Sequence, residues 1–179
     1  MTFGSTFGRV FSPTFKPKSQ AAAVGVSLTN FFNQLYSGTR NNHNGDLGFV
    51  FKPSRDIVVK ALGRAVSTSI AANHIINVWR ASDKTIVCTV TVGSASAVDS
   101  LGYAFEMLSS PVTLSSGAEY RIVSSESSGG DKWFDYGVAG NHLSSAGILY
   151  SVYNNSTGTY PNNTYGGTNN AFVVPTFYE

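Results

Sequence analysis

The stretch Thr85-Ile86-Val87-Cys88-Thr89-Val90-Thr91-Val92 decides the fold class. Ile86, Cys88, Val90 and Val92 alternate with Thr85, Val87, Thr89 and Thr91. A period of two puts each set on one face of a strand, and β-branched residues suit a pleated, half-buried surface. The apolar set is expected to point into the core, together with Tyr103, Phe105 and Tyr120 from strands farther along. Cys88 on that inner face reads as a small core hydrophobe rather than a nucleophile.

Working outward, the same kind of segment recurs on both sides. Leu47, Phe49 and Phe51 alternate just after Asn44-Gly45, and Ile57 to Val66 and His74 to Arg80 follow. Beyond Val92 come Leu101 to Met107, Pro111 to Leu114, Ala118 to Ser124, Lys132 to Val138, Ile148 to Tyr153 and Ala171 to Tyr178. About ten short strands separated by turn signals predict an all-β, antiparallel β-sandwich of the jelly-roll type. Residues 28–36 (LTNFFNQLY) are the one short helix expected, capped by Thr29 or Asn30.

Composition agrees with strands and excludes several function classes. The 179 residues make about one domain, and 42% are hydrophobic, which excludes global disorder. Charged residues are 12%, against about 25% in ordinary globular chains. Polarity is carried instead by 39 Ser and Thr, 14 Asn and 18 Gly. The net charge of +2 is too small for a nucleic-acid-binding domain. Between Tyr136 and Tyr178 there is no Asp, Glu, Lys or Arg, a surface suited to a neutral partner or a packed neighbour. The single cysteine excludes an intrachain disulfide and a cysteine zinc cluster, and no apolar run is long enough for a membrane helix.

Residues 1–24 stand apart from the domain at 25–179. They hold Arg9, Lys16 and Lys18 with no acid, and Gly4, Gly8, Pro13 and Pro17 oppose a helix. Phe3, Phe7, Phe11 and Phe15 recur every four residues. Each gains roughly 1.5–3 kcal/mol on burial, so the segment is expected to be an extended arm that anchors in neighbouring subunits. It lacks the continuous apolar stretch of a secretory signal, so release by another route such as lysis, or prior removal of a leader, is expected.

Over residues 47–126 and on to Trp133 the order is LGFVF, DIVVKALGR, HIINVWR, GYAFEMLSSPVTLSSGAEYRIVSSE and GGDKW. This order resembles a bacterial extracellular β-sandwich domain family of uncharacterised function, similar in appearance to jelly-roll carbohydrate-binding modules. The strongest piece, Pro111 to Tyr120, is a strand, a glycine turn and a strand. The resemblance implies a fold and brings no catalytic residues with it.

The chemistry-bearing stretch is SSGGDKWFDYG. In extended backbone Asp131, Trp133 and Asp135 share one face, an indole between two carboxylates. Sugars are recognised by such sets, a ring for the C–H faces and acceptors for the hydroxyls. Tyr160 and Tyr165, from the neutral loop Tyr153 to Asn170, are expected to complete a neutral-glycan site. The competing reading packs Trp133 over the end of the sandwich and uses the aspartates to cap the turn after Gly129-Gly130. As a glycosidase pair the aspartates fail: four strand residues separate them by about 13 Å, against roughly 5–9.5 Å in such enzymes. Glu126 or Asp99 would be needed as a second carboxylate. Asp131 and Asp135 with loop carbonyls are the groups that would hold a structural calcium, although the D-x-[DN]-x-[DN]-G pattern is absent. His43, His74 and His142 lack metal-ligand spacing. His74 is expected to be a satisfied edge or core residue, and His43 and His142 solvated loop residues. No enzyme motif is present.

The sequence therefore predicts a non-catalytic structural or adhesive protein of an extracellular assembly, such as a phage virion surface or decoration protein. It is oligomeric or assembly-bound, anchored by its arm and able to bind neutral glycans, with no cofactor. The alternative is a carbohydrate-binding module of a secreted protein.

Overall fold

The computed structural model describes residues 27–36, 38, 40–66, 69–134 and 141–179. The anchor residues Phe3, Phe7, Phe11 and Phe15, and Asp135, lie outside the described residues. Ten strands form two packed antiparallel sheets, and no helix occurs among the described residues. The larger sheet holds β1 (Gly45–Pro53), β3 (His74–Arg80), β4 (Thr85–Val92), β7 (Tyr120–Glu126), β8 (Ala146–Asn154) and β9 (Asn163–Tyr165), in the order β4-β3-β7-β1-β8-β9. The smaller sheet holds β2 (Ile57–Ala65), β5 (Ala97–Val98), β6 (Tyr103–Leu114) and β10 (Pro175–Tyr178), in the order β10-β2-β6-β5. The chain crosses between sheets at β1–β2, β2–β3, β4–β5, β6–β7 and β9–β10. The expected all-β sandwich is the architecture found.

The core lies between the sheets and is rich in aromatic rings. Phe177 of β10 stacks on Phe31 at 4.5 Å and on Phe51 of β1 at 5.0 Å. Cys88, Val92, Tyr103 and Tyr120 are buried as the alternation required, and Val90 and Phe105 pack half-buried against them. Ile86 does not follow: it is 43% exposed. The ladder pairs Val78 with Cys88 but Trp79 with Ile86, so Val87 is an extra residue. This bulge turns Ile86 to the outer face that Trp79 occupies, while Val87 packs toward the core.

Residues 28–36 are not helical; they make isolated bridges at Asn30 and Phe32 with bends beside them. Thr29 and Glu179 exchange backbone hydrogen bonds, and the Phe31 amide donates to the Phe177 carbonyl, which continues the smaller sheet past β10. On the other side Leu143 donates to the Phe31 carbonyl and Asn33 to the Asn141 carbonyl. The edge of β10 needs partners that a helix cannot supply. Asn30 tethers the segment instead of capping it: its Oδ1 accepts from the Phe32 amide and the Thr176 hydroxyl, and its Nδ2 donates to Asp99. His142 is half-buried here, stacked on Phe31 at 4.9 Å, not a solvated loop residue.

Residues 154–162 fold over the outer face of the larger sheet. Tyr160 meets Trp79 edge-on at 5.8 Å and lies under the Arg121 guanidinium at 4.7 Å. Val50, Val123 and Val152 complete this second apolar layer.

Phe31→Ala should lower stability in urea unfolding by about 3–5 kcal/mol, because a fully buried ring leaves a cavity. Ile86→Thr should change it by less than about 0.5 kcal/mol, as an exposed strand position does.

Candidate functional site

Two arrangements meet at the end of the sandwich where β1 begins. The first is a buried ionic network. Arg64 of β2 is fully buried and forms a two-pronged pair with Glu126 of β7, Nε to Oε1 at 3.1 Å and a terminal nitrogen to Oε2 at 2.8 Å. Ser124 also donates to Glu126 Oε1 at 2.7 Å. His74 of β3 bridges onward, its Nδ1 2.7 Å from the Ser125 carbonyl and 3.3 Å from Glu126, its Nε2 3.0 Å from Asp131. Asp131 accepts further bonds from the Ala71 and Ala72 amides.

The charges in this network settle one another. Burial alone would push His74 down, but the hydrogen bond and charge of Glu126 outweigh it and raise the imidazole above its ordinary value. Burial would push Glu126 up, yet bonds from His74 and Arg64 hold it below the usual carboxylate range. Asp131 is likewise held low, burial being outweighed by His74 and the two amides. Arg64 also donates to the carbonyls of Asp131 and Lys132, both at 3.3 Å, and so fixes the chain entering Trp133.

The second arrangement is a cleft of about 270 Å³ beside that segment. Trp133 and Arg40 pair through their backbones at 2.8 and 3.1 Å, and the Arg40 guanidinium sits 5.2 Å over the indole. Leu47, Trp133 and Phe172 make the apolar back of the cleft, and Tyr165 stacks on Phe172 at 6.0 Å. Tyr165 is 53% exposed and offers the accessible ring. Polar edges come from Asn42, Arg40 and His43, whose Nε2 lies 3.0 Å from the Asn154 carbonyl. A carbonyl only accepts, so Nε2 is the donor, and in the neutral ring Nδ1 is then an acceptor. His43 is half-buried against Tyr153 rather than solvated.

The expected glycan residues therefore divide. Trp133 is 3% exposed, so it backs the cleft and is no open stacking platform; the sandwich-end packing is what the chain adopts. Asp131 turns into the ionic network, where its carboxylate accepts from the Ala71 and Ala72 amides and lies 3.0 Å from His74 Nε2. Tyr160 lies on the outer sheet face with Trp79, and Tyr165 alone of the two tyrosines lines the cleft. The carboxylates considered as second glycosidase partners are also committed. Glu126 is in the Arg64 pair, and Asp99 accepts from Leu101, Tyr103, Asn30 and Tyr178. Burial pushes the Cys88 thiol up to about 12.

Arg40 and Phe172 were not singled out in the sequence, His43 was expected only as a solvated loop residue, and the Arg64–Glu126 pair was not foreseen. For the pair one signal existed: an arginine inside the apolar run Ile57 to Val66 needs a buried partner. The family described as a domain of unknown function, DUF4082, matches residues 35–173. The chain belongs to that family. The DUF4082 stretch takes in β1 to β9, the whole ionic network and every residue of the cleft. No curated protein matches the chain.

A further buried acid lies under the loop on the larger sheet. Asp46 is fully buried; its Oδ2 accepts from the Gly158 amide at 3.0 Å, and its Oδ1 has no partner among the described residues. Burial, countered by the Gly158 bond and reinforced by the Glu126 charge, raises its pKa to about 6.

Arg64→Met should destabilise the domain by about 3–5 kcal/mol, since it strands a buried carboxylate. Adding Glu126→Leu should recover most of that loss in urea unfolding. Asp46 titrates near 6 when folded and near 3.8 when unfolded, so its protonated form favours folding. Its contribution is full below the unfolded value and is lost as pH rises through about 6. Asp46→Asn should flatten stability between these values and raise it at pH ~7–8, read as midpoints across a pH series.

Proposed function

We propose that this chain is a non-catalytic adhesion component of an extracellular assembly, such as a virion surface, and that the cleft beside Trp133 binds neutral glycans. The observation that carries this reading is the polarity of the sandwich. The cleft lies at the Leu47 end of β1. The chain joins the sandwich at the other end, where Lys60 donates to the Ser27 carbonyl at 3.1 Å beside Ser54 and Glu179. Six strand residues, roughly 20 Å, separate Leu47 from Pro53. Ser27 thus sits at one end and the cleft at the other, which supports a reading in which the preceding Phe-rich segment anchors the chain away from the cleft.

Within the cleft a pyranose ring stacks on Tyr165, with Asn42 and His43 Nδ1 taking hydroxyls and Arg40 donating to ring or hydroxyl oxygens. Tyrosine supplies such contact area at small entropic cost. A shallow site of this kind binds weakly, with Kd about 1 mM or −4 kcal/mol, and gains strength from many copies on one particle. The second reading, a carbohydrate-binding module of a secreted protein, uses the same cleft and is favoured by the sandwich likeness; it assigns the arm no anchoring role.

The protein displayed in many copies should bind neutral glycans on an array that the same protein free in solution barely retains. Tyr165→Ala should lose that binding by about tenfold or more with an unchanged melting temperature, because the ring is largely exposed. Replacing all four arm phenylalanines by serine should abolish incorporation into the assembly and leave glycan binding intact. An array that stays blank, or binding indifferent to Tyr165→Ala, would sink the cleft assignment.

A further inference from the structure

An open sheet edge is a template for another strand, and proteins guard edges by shortness, charge, proline, bulges or cover. Three edges of this sandwich are guarded. β5 has two residues, β9 has three, and β10 is covered by the backbone of Thr29 and Phe31. The fourth edge, β4, is eight residues long and pairs only with β3 among the described residues. It contains no Asp, Glu, Lys, Arg or Pro. Its one guard, the bulge at Val87, affects only the first end, and Cys88 to Val92 continues as regular strand. On the outer face Thr89 and Thr91 are exposed, and the neighbouring Ile75 and Ile86 are 45% and 43% exposed.

We propose that β4 pairs antiparallel with β4 of a second copy of this chain, joining the two larger sheets edge to edge about a two-fold axis. The occupant follows from the strand itself. An uncharged edge does not repel its own copy and offers no charge pattern that would select a different one. A two-fold contact also needs only one self-complementary patch. The register follows from the faces. Centred on Val90, the pairing sets Val90 opposite its counterpart, Cys88 opposite Val92, and Thr89 opposite Thr91. Each pair then joins residues of the same face, apolar on the core side and threonines on the outer side. A slip of one residue would set threonines against core-facing valines. This register also uses the whole regular stretch beyond the bulge. The inference is independent of the cleft, which lies beside β1 and β9 at the far side of the sheet.

The test is a charge swap in the full chain. Thr89→Lys with Thr91→Lys makes one variant, and Thr89→Glu with Thr91→Glu the other. Light scattering and native mass spectrometry should give a dimer for the natural chain. Each variant alone should lose dimer by about tenfold or more, while an equimolar mixture should restore a dimer containing one chain of each kind. Thr89→Ser with Thr91→Ser should stay dimeric, and melting curves confirm that the variants fold. A monomeric natural chain, charged variants that still dimerise alone, or a mixture that remains monomeric would each overturn the edge pairing.

Discussion

The Arg64–Glu126 pair is the constraint on which the rest of the sandwich depends. Arg64 belongs to the smaller sheet and Glu126 to the larger, so the pair spans the core and joins the two layers at one end. Neither side chain has access to water, and a lone ion left there would be strongly unfavourable. The two sheets must therefore meet in the one relative position that brings both prongs together. Elsewhere the core is a set of rings and branched side chains that tolerate small slides; this contact does not. Through His74 and Asp131 the same pair sets the loop at Ala71 and Ala72. Through the Asp131 and Lys132 carbonyls it sets Trp133, and Trp133 in turn holds Arg40. The cleft is the far end of a chain of contacts that starts at a buried charge.

The fold was legible because its evidence is local. Alternation along Thr85 to Val92 and the turn glycines need no knowledge of distant residues. What could not be read depended on partners far along the chain. The extra residue at Val87 is visible only against Trp79 across the ladder, so Ile86 was assigned to the wrong face. Leu28 to Tyr36 has the local look of a capped helix, and only the unpaired edge of β10, some 145 residues later, makes it bridge instead. Trp133 between two aspartates looked exposed because Arg40, Leu47 and Phe172, which enclose it, come from three other parts of the chain. Of the proposed sugar contacts, Tyr165 was reachable by composition, since a tyrosine in a long neutral loop stays near the surface.

The two faces of the larger sheet do different work. The inner face carries the core, while the outer face is roofed by residues 154–162, with Tyr160 held between Trp79 and Arg121. Beneath that roof one oxygen of Asp46 has no partner among the described residues, which is a local cost to folding. The neutral composition of the loop fits this role. A charged side chain in the roof would have to be buried over Val50 and Val152, or would lift the loop away.

The joining of Thr29 and Phe31 to β10 has a consequence for the order in which the molecule folds. Thr29 and Glu179 exchange hydrogen bonds, and Phe31 stacks on Phe177, so a segment ahead of β1 closes against residues far later in the chain. Asp99, Asn141 and Leu143 give Leu28 to Asn33 part of its bonding, but its β10 side stays open until Pro175 to Glu179 are in place. Contacts of such long separation form late, because the loop entropy must be overcome before they return any stabilisation. Placement of Pro175 to Glu179 is thus the event that seats Ser27 at its end of the sandwich.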